Sequence, residues 1–190
     1  MKHKPLPQTF FTSDWHLNHS NVLKFDGRPF ETVEDMGNKI ITNMNKCVGA
    51  DDRLILCGDI VFGNKPVWRY WLSQLICKNL ILVKGNHDSY LDIPKEMFLL
   101  IVEQMGIRAD RNTHILVSHY PYRWPWYRFD KRKIRHREHR PVDNGGYLIH
   151  GHTHDVRNIS HPRMFHVGVN ACDYKPVSMS AIINKLSRRV

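Results

Sequence analysis

The sequence contains no run of 18 apolar residues, so it offers no candidate membrane-spanning helix. It also lacks any Cys-x-x-Cys pair. The four cysteines, Cys47, Cys57, Cys77 and Cys172, stand far apart, which argues against a disulfide scaffold or thiolate zinc site and fits a reducing compartment. They read as small buried apolar side chains. No internal repeat or low-complexity linker interrupts the chain, and the charged start Met1-Lys2-His3-Lys4-Pro5-Leu6-Pro7 has no long apolar stretch behind it. The expectation is a soluble, cytoplasmic protein with no membrane partner. Acidic residues are scarce relative to basic ones: 18 Asp and Glu against 28 Lys and Arg leave a formal charge of +10, which favours a polyanionic partner or substrate.

What remains is an ordinary globular composition with one oddity. The 190 residues, 42% of them hydrophobic, are enough for one domain over 1–190 with a core of its own, and are not a disordered tail or a coiled coil. The oddity is histidine, of which there are 13.

Six short apolar runs each end in polar, metal-competent residues. Phe10-Phe11 leads into Thr12 to His16, Leu54 to Leu56 into Cys57-Gly58-Asp59, and Leu80 to Val83 into Lys84 to Asp88. Ile115 to Val117 leads into Ser118-His119, Leu148-Ile149 into His150 to His154, and Phe165 to Val169 into Asn170. Such runs, bounded by Gly, Asn and Asp, read as buried strands. Between them, residues 34–48 carry Met36, Ile40, Ile41, Met44 and Val48 on one helical face, and residues 66–77 follow a Pro suited to a first turn. Trp68, Tyr70 and Trp71 in that second stretch read as core aromatics. Alternating strands and helices give an α/β domain, in which sites form beyond the carboxyl ends of the strands.

The polar clusters hold a coherent ligand set. Asp14 and His16 are two apart, so in extended chain both side chains leave one face, and the same holds for His152 and His154. Asp59 can offer an oxygen to each of two cations, Asn86 supplies an amide oxygen and His119 another imidazole. Seven oxygen and nitrogen ligands without sulfur suit manganese, iron, zinc, cobalt or nickel, with manganese the first expectation. They are too many for one ion and suit two that share Asp59. The other histidines, His19, His114, His136, His139, His150, His161 and His166, read as surface or core residues, with His19 and His150 nearest the motifs.

The ordered series Asp14-x-His16, Gly58-Asp59, Gly85-Asn86-His87-Asp88, Ser118-His119 and Gly151-His152-Thr153-His154 resembles the calcineurin-like metallophosphoesterase family, in its small single-domain form, from residue 9 to about 170. The resemblance implies a fold of two packed β-sheets flanked by helices, a four-layer sandwich. It implies one divalent ion held by Asp14, His16, Asp59 and His154, and a second by Asp59, Asn86, His119 and His152. One departure is Phe62, which stands where many members carry a further Asp. The implied activity is hydrolysis of phosphodiester or phosphomonoester bonds by in-line attack of a hydroxide bridging two ions. His87 is expected to protonate the leaving oxygen or stabilise the transition state, with Asp88 orienting it.

The segment from Tyr122 to Arg140 carries a net charge of +6 and holds Tyr122, Trp124, Trp126, Tyr127 and Phe129 at its start. It is read as an insertion overhanging the site, either a flap that attracts phosphate and stacks bases, with Arg123 among its contacts, or a solvated basic loop. Arg28, in Phe25-Asp26-Gly27-Arg28-Pro29-Phe30, is read either as a fork onto a substrate phosphate or as a structural salt bridge. The expected substrate is a nucleotide or nucleic acid. A nuclease or end-processing enzyme and a non-catalytic binding subunit on the same fold are the rivals, and a protein phosphatase fits less well. The sequence leaves the oligomeric state open.

Overall fold

The structure, a computed structural model, describes residues 6–88, 92–111, 113–123, 136–158 and 161–187. Two β-sheets make its framework. The first runs through β1 (Thr9–Thr12), β2 (Arg53–Leu56), β3 (Asn79–Val83) and β4 (Leu100–Val102), all parallel, with β9 (Val177–Ser178) antiparallel to β1 at the far edge. The second has the order β5 (Gln104–Arg108), β6 (His114–Ser118), β7 (Tyr147–His150), β8 (Met164–His166), with β5 antiparallel and the rest parallel. The chain crosses between sheets at Glu103 and again between β8 and β9.

Side chains alternate across each strand, so each run serves two cores. Phe10, Leu54, Leu56, Leu80 and Leu82 face α2 (Val33–Cys47) and α3 (Lys65–Ser73). Phe11, Ile55, Ile81 and Val83 meet Ile115, Val117, Ile149 and Phe165 of the second sheet in the inter-sheet core, which Ile182 and Leu186 of α4 (Met179–Ser187) also join. Each large apolar side chain buried this way contributes about 1.5–3 kcal/mol. The outer face of the second sheet carries Leu148 and Met164 beneath Tyr122. No helix of the described residues is long and apolar enough to cross a membrane.

Helix α2 starts at Val33, one residue before the expected 34: the Thr32 side chain accepts the Asp35 amide at 3.0 Å, and Glu34 and Asp35 occupy the first turn. Its Gly37 lies against the Trp71 ring of α3, so the two helices approach over a missing Cβ. Helix α3 stops at Ser73 rather than running to Cys77. The Gln74 amide turns back to Trp71 O, and Lys78 Nζ caps the carbonyls of Ser73 and Leu75 at 2.9 and 2.6 Å. Trp68 and Trp71 are buried, but Tyr70 is exposed, which corrects its reading as a core aromatic. Cys57 and Cys77 are buried while Cys47 is exposed and Cys172 partly so; Cys47, on the solvent side of the last turn of α2, departs from the expected burial. A short α1 (Asn21–Phe25) leads from the first motif toward Asp26 and Arg28.

Candidate metal centre

Beyond the carboxyl ends of β1 and β2 the chain leaves the strands but stays paired. Asp14 N donates to Gly58 O, His16 N to Asp59 O and Leu17 N to Ile60 O, at 2.9–3.0 Å. The side chains are aimed by an unexpected backbone. Asp14, His16, Asp59, His152 and His154 all have φ between 50° and 71°, five of the nine described non-glycine residues with positive φ. The convergence of Asp14 with His16, and of His152 with His154, therefore comes from left-handed residues and not from extended chain as the spacing suggested. Such residues are held by their surroundings at about 1–3 kcal/mol each and gather at functional sites.

Those surroundings leave no slack. A Cβ at Gly58 (φ 86°) would fall 2.5 Å from His119 Nδ1, and one at Gly85 would overlap Asp59 Oδ1. Asp88 is buried, and its carboxylate accepts the amides of Asp59 (2.7 Å), Ile60 (3.2 Å) and Gly85 (2.9 Å). This corrects its expected role. Asp88 ties the β2 and β3 loops together at their backbones instead of orienting the His87 ring. Burial and the neighbouring Asp59 charge push its pKa up.

Seven candidate ligands converge. His16 Nε2 lies 3.0 Å from His154 Nε2 and 3.8 Å from Asp59 Oδ2, and His154 Nε2 lies 3.5 Å from Asp14 Oδ1. At the same Asp59 oxygen, His119 Nε2 lies 3.5 Å from Oδ2 and 3.2 Å from both Asn86 Oδ1 and His152 Nδ1. Ligands bound at the usual 2.0–2.1 Å stand about 2.8–3.4 Å apart at 90–110° and up to about 4.2 Å apart when opposite, so all six distances lie within the reach of shared coordination.

The protons agree with it. His119 Nδ1 faces Cys57 O at 2.8 Å, and a carbonyl only accepts, so Nδ1 carries the hydrogen and Nε2 presents a lone pair. That lone pair faces Asn86 Oδ1 and Asp59 Oδ2, an arrangement a cation resolves. His154 repeats the logic: its Nδ1 donates to Asp26 Oδ2 at 2.7 Å, turning Nε2 inward. Burial opposes charge on His154, yet the Asp14 and Asp26 carboxylates lift its pKa to about 10, so the field here attracts positive charge. Burial likewise opposes charge on Asp14, but its contacts with His154 and His166 hold it well below the usual carboxylate range. Burial, reinforced by His119, drives His152 down to about 2. Imidazoles and carboxylates in one cluster are the donor set for a divalent metal, which would take the place of the His154 proton that the two carboxylates attract.

His87 is the accessible member. Its side chain is 41% exposed, with Nε2 4.0 Å from Asp59 Oδ2 and its ring edge-on to His16 at 5.3 Å. Phe62, in place of the familiar aspartate, flanks it, with ring centroids 6.2 Å from His87 and 4.9 Å from His19. Arg28 does not reach the site's mouth. Its side chain has no exposure; Nη1 donates to Trp15 O (2.9 Å), Nη2 to Asp14 O (2.8 Å), and Nε and Nη2 pair with Asp26. Of its two readings, the structural salt bridge is the one the structure agrees with, and the fork onto substrate is the one it contradicts. The guanidinium is spent inside, bracing the carbonyls of the first motif. Arg123 is exposed, its amide bonded to Pro141 O at 2.8 Å, while residues 124–135, with the other aromatics of the basic segment, lie outside the described residues.

Two contributors carried no sequence signal. Asp26 lies in a turn with no motif, and His166, fully buried with Nε2 3.8 Å from Asp14 Oδ2, read as an ordinary core histidine. Only their distances reveal them.

Proteins of similar sequence and fold are known. The archaeal protein MJ1445 of Methanocaldococcus jannaschii, itself uncharacterized, is 27% identical over 186 residues, covering 94% of this chain and 91% of that protein. The Gene 66 protein of Mycobacterium phage L5 is 27% identical over 188 residues, covering 87% and 88%. The crystal structure of AQ665 from Aquifex aeolicus, a protein of unknown function, superposes with a TM-score of 0.66 at 26% identity, covering 94% of this chain and 98% of that one. The family model for the calcineurin-like phosphoesterase superfamily domain matches residues 10–172, a span running from β1 through every candidate ligand, and the chain belongs to that superfamily.

Proposed function

We propose that the protein is a two-metal phosphoesterase that hydrolyses phosphodiester bonds, and secondarily phosphomonoesters, in a nucleotide or nucleic acid. The observation that carries this reading is the arrangement around Asp59: its Oδ2 lies 3.8 Å from His16 Nε2 and 3.5 Å from His119 Nε2, one from each half of the ligand set, with the accessible His87 Nε2 4.0 Å away. Asp14, His16, Asp59 and His154 would hold one ion, and Asp59, Asn86, His119 and His152 the other. Two such ions, when bound, supply an activated water and neutralise phosphoryl oxygens as charge develops. Manganese is the first to test, with iron, zinc, nickel and cobalt also compatible with the donors.

The chain's own residues do the rest. Asp88, Arg28 and Asp26 hold the ligand loops rigid, so the phosphate meets a pre-formed site. His87, accessible and 4.0 Å from Asp59, would serve the leaving oxygen, and burial lowers its pKa, making its protonated form a readier proton donor. The +10 charge and exposed Arg123 favour anionic substrates. A cytoplasmic setting suits a protein whose described cysteines are all free.

The test is parallel hydrolysis of bis-p-nitrophenyl phosphate and p-nitrophenyl phosphate by stripped protein reloaded with each metal. Metal-dependent turnover that favours the diester and collapses in Asp59→Ala is the expected result. Monoester preference redirects the search to nucleotidases and protein phosphatases. No turnover with two ions bound makes the non-catalytic binding subunit the better reading. Steep salt dependence of substrate affinity would select a nuclease or end-processing enzyme over a small-nucleotide phosphodiesterase.

A further inference from the structure

We infer that His136, Glu138 and His139 form a third metal site, distinct from the seven-ligand cluster, that takes a borderline transition cation such as zinc, nickel or cobalt. One ligand atom from each of the three lies within 4.8 Å of the other two. The local backbone explains this. Arg137–His139 is a single 3₁₀ turn entered through the left-handed His136, so the chain folds back within three residues and brings the His136 and His139 ring centroids to 6.3 Å. Glu138 Oε1 already lies 3.6 Å from His139 Nε2.

The turn is held rather than loose. His136 adopts φ 56°, the left-handed conformation shared by five ligands of the main centre, and its carbonyl accepts the His139 amide at 3.1 Å. The His139 ring stacks on Tyr120 at 5.7 Å and 20°, and the His136 ring meets His152 edge-on at 5.5 Å. Both imidazole rings thus pack against residues next to or within the main ligand set. The exposed Glu138 side chain can close the remaining distance, because two ligands on one ion stand no more than about 4.2 Å apart. Two nitrogens and one carboxylate oxygen, open to water at the remaining positions, select zinc, nickel and cobalt over magnesium or calcium.

The place of the site gives it a consequence. The three residues line a cavity of about 410 Å³ that reaches Asn86 of the main centre, together with Tyr120 and Arg140. A cation lodged there narrows the approach to Asn86, so zinc in excess of the main centre's need should inhibit. This second clause rests on the proposed phosphoesterase activity; the binding clause does not.

The experiment is zinc content after equilibrium dialysis, measured for the full chain and for Glu138→Gln/His139→Ala, both exposed positions whose replacement leaves the core untouched. The variant is expected to retain one zinc per chain fewer, with no such difference in magnesium. Equal zinc content in the two proteins overturns the site. The comparison is a difference, so it holds whatever the main centre binds: a wild type holding fewer ions than expected counts against the two-metal reading alone. With bis-p-nitrophenyl phosphate, excess zinc should inhibit the wild type and spare the variant; equal inhibition of both overturns the blocking role.

Discussion

His154 Nδ1 donates to Asp26 Oδ2 across 2.7 Å, and the same carboxylate is gripped from behind by Arg28. The bond fixes the tautomer and the plane of His154, so that Nε2 points at Asp14 and His16. Partners of this kind typically set metal affinity by about 10–100-fold. Asp26→Ala is expected to weaken binding of one ion by that factor and, by leaving the buried Arg28 guanidinium without its carboxylate, to lower stability as well. Chelator competition reads it, and unchanged affinity for both ions would reduce Asp26 to an ion-pair partner of Arg28.

For His87, the prediction separates two roles. A general acid contributes about 10²–10⁴-fold when the leaving group is poor and little when it is good. His87→Ala should therefore slow an alkyl phosphodiester far more than a bis-nitrophenyl ester, with metal content unchanged. Equal slowing of both substrates would assign the ring to charge stabilisation instead.

Gly37→Ala tests packing away from the site. Alanine gains about 1 kcal/mol of helix propensity over glycine. The new Cβ, however, falls on the buried Trp71 ring, and such overpacking costs about 1–3 kcal/mol. The steric effect wins or breaks even, and urea unfolding should show a lower midpoint; a clear gain in stability would mean that α2 and α3 separate without strain.

His150 carries a pH dependence. Burial, and the neighbouring His166 ring, push its pKa down to about 3, and its Nε2 has no hydrogen-bond partner among the described residues. Below its unfolded value near 6.5 the unfolded chain takes up a proton that the folded protein refuses, so stability falls with pH from about 6.5 toward 3, at up to about 1.4 kcal/mol per pH unit. His150→Phe keeps the ring shape and removes the proton site. Its unfolding free energy should decline less than the wild type's between pH 6.5 and 5; parallel declines would acquit His150.

The strands carrying the site were legible because each buries an apolar run on both faces and then breaks into Gly, Asp or His, as at Leu54 to Asp59. Strand β5 was not, because Gln104–Arg108 is half polar, alternates burial with exposure and holds Gly106. The seven ligands were legible as types and order, but the left-handed backbone that aims Asp14 and His16 is a property of the loop pairing with Gly58 to Ile60, invisible to residue spacing. Arg28 was noticed for its charge and Asp88 for its place beside His87, yet both turn inward to backbone atoms, a choice made by burial. Asp26 carried no motif at all.

The ligand set is divided between the layers: Asp14, His16, Asp59 and Asn86 follow strands of the first sheet, His119, His152 and His154 strands of the second. Any cation shared by the two groups is a clasp across the sandwich, closing at its rim the joint that the inter-sheet core closes from within. Such a clasp strengthens the fold by about 2.7 kcal/mol at a free metal concentration a hundredfold above its dissociation constant. Stripping metal should therefore lower the unfolding temperature and loosen the two sheets from each other before either sheet comes apart.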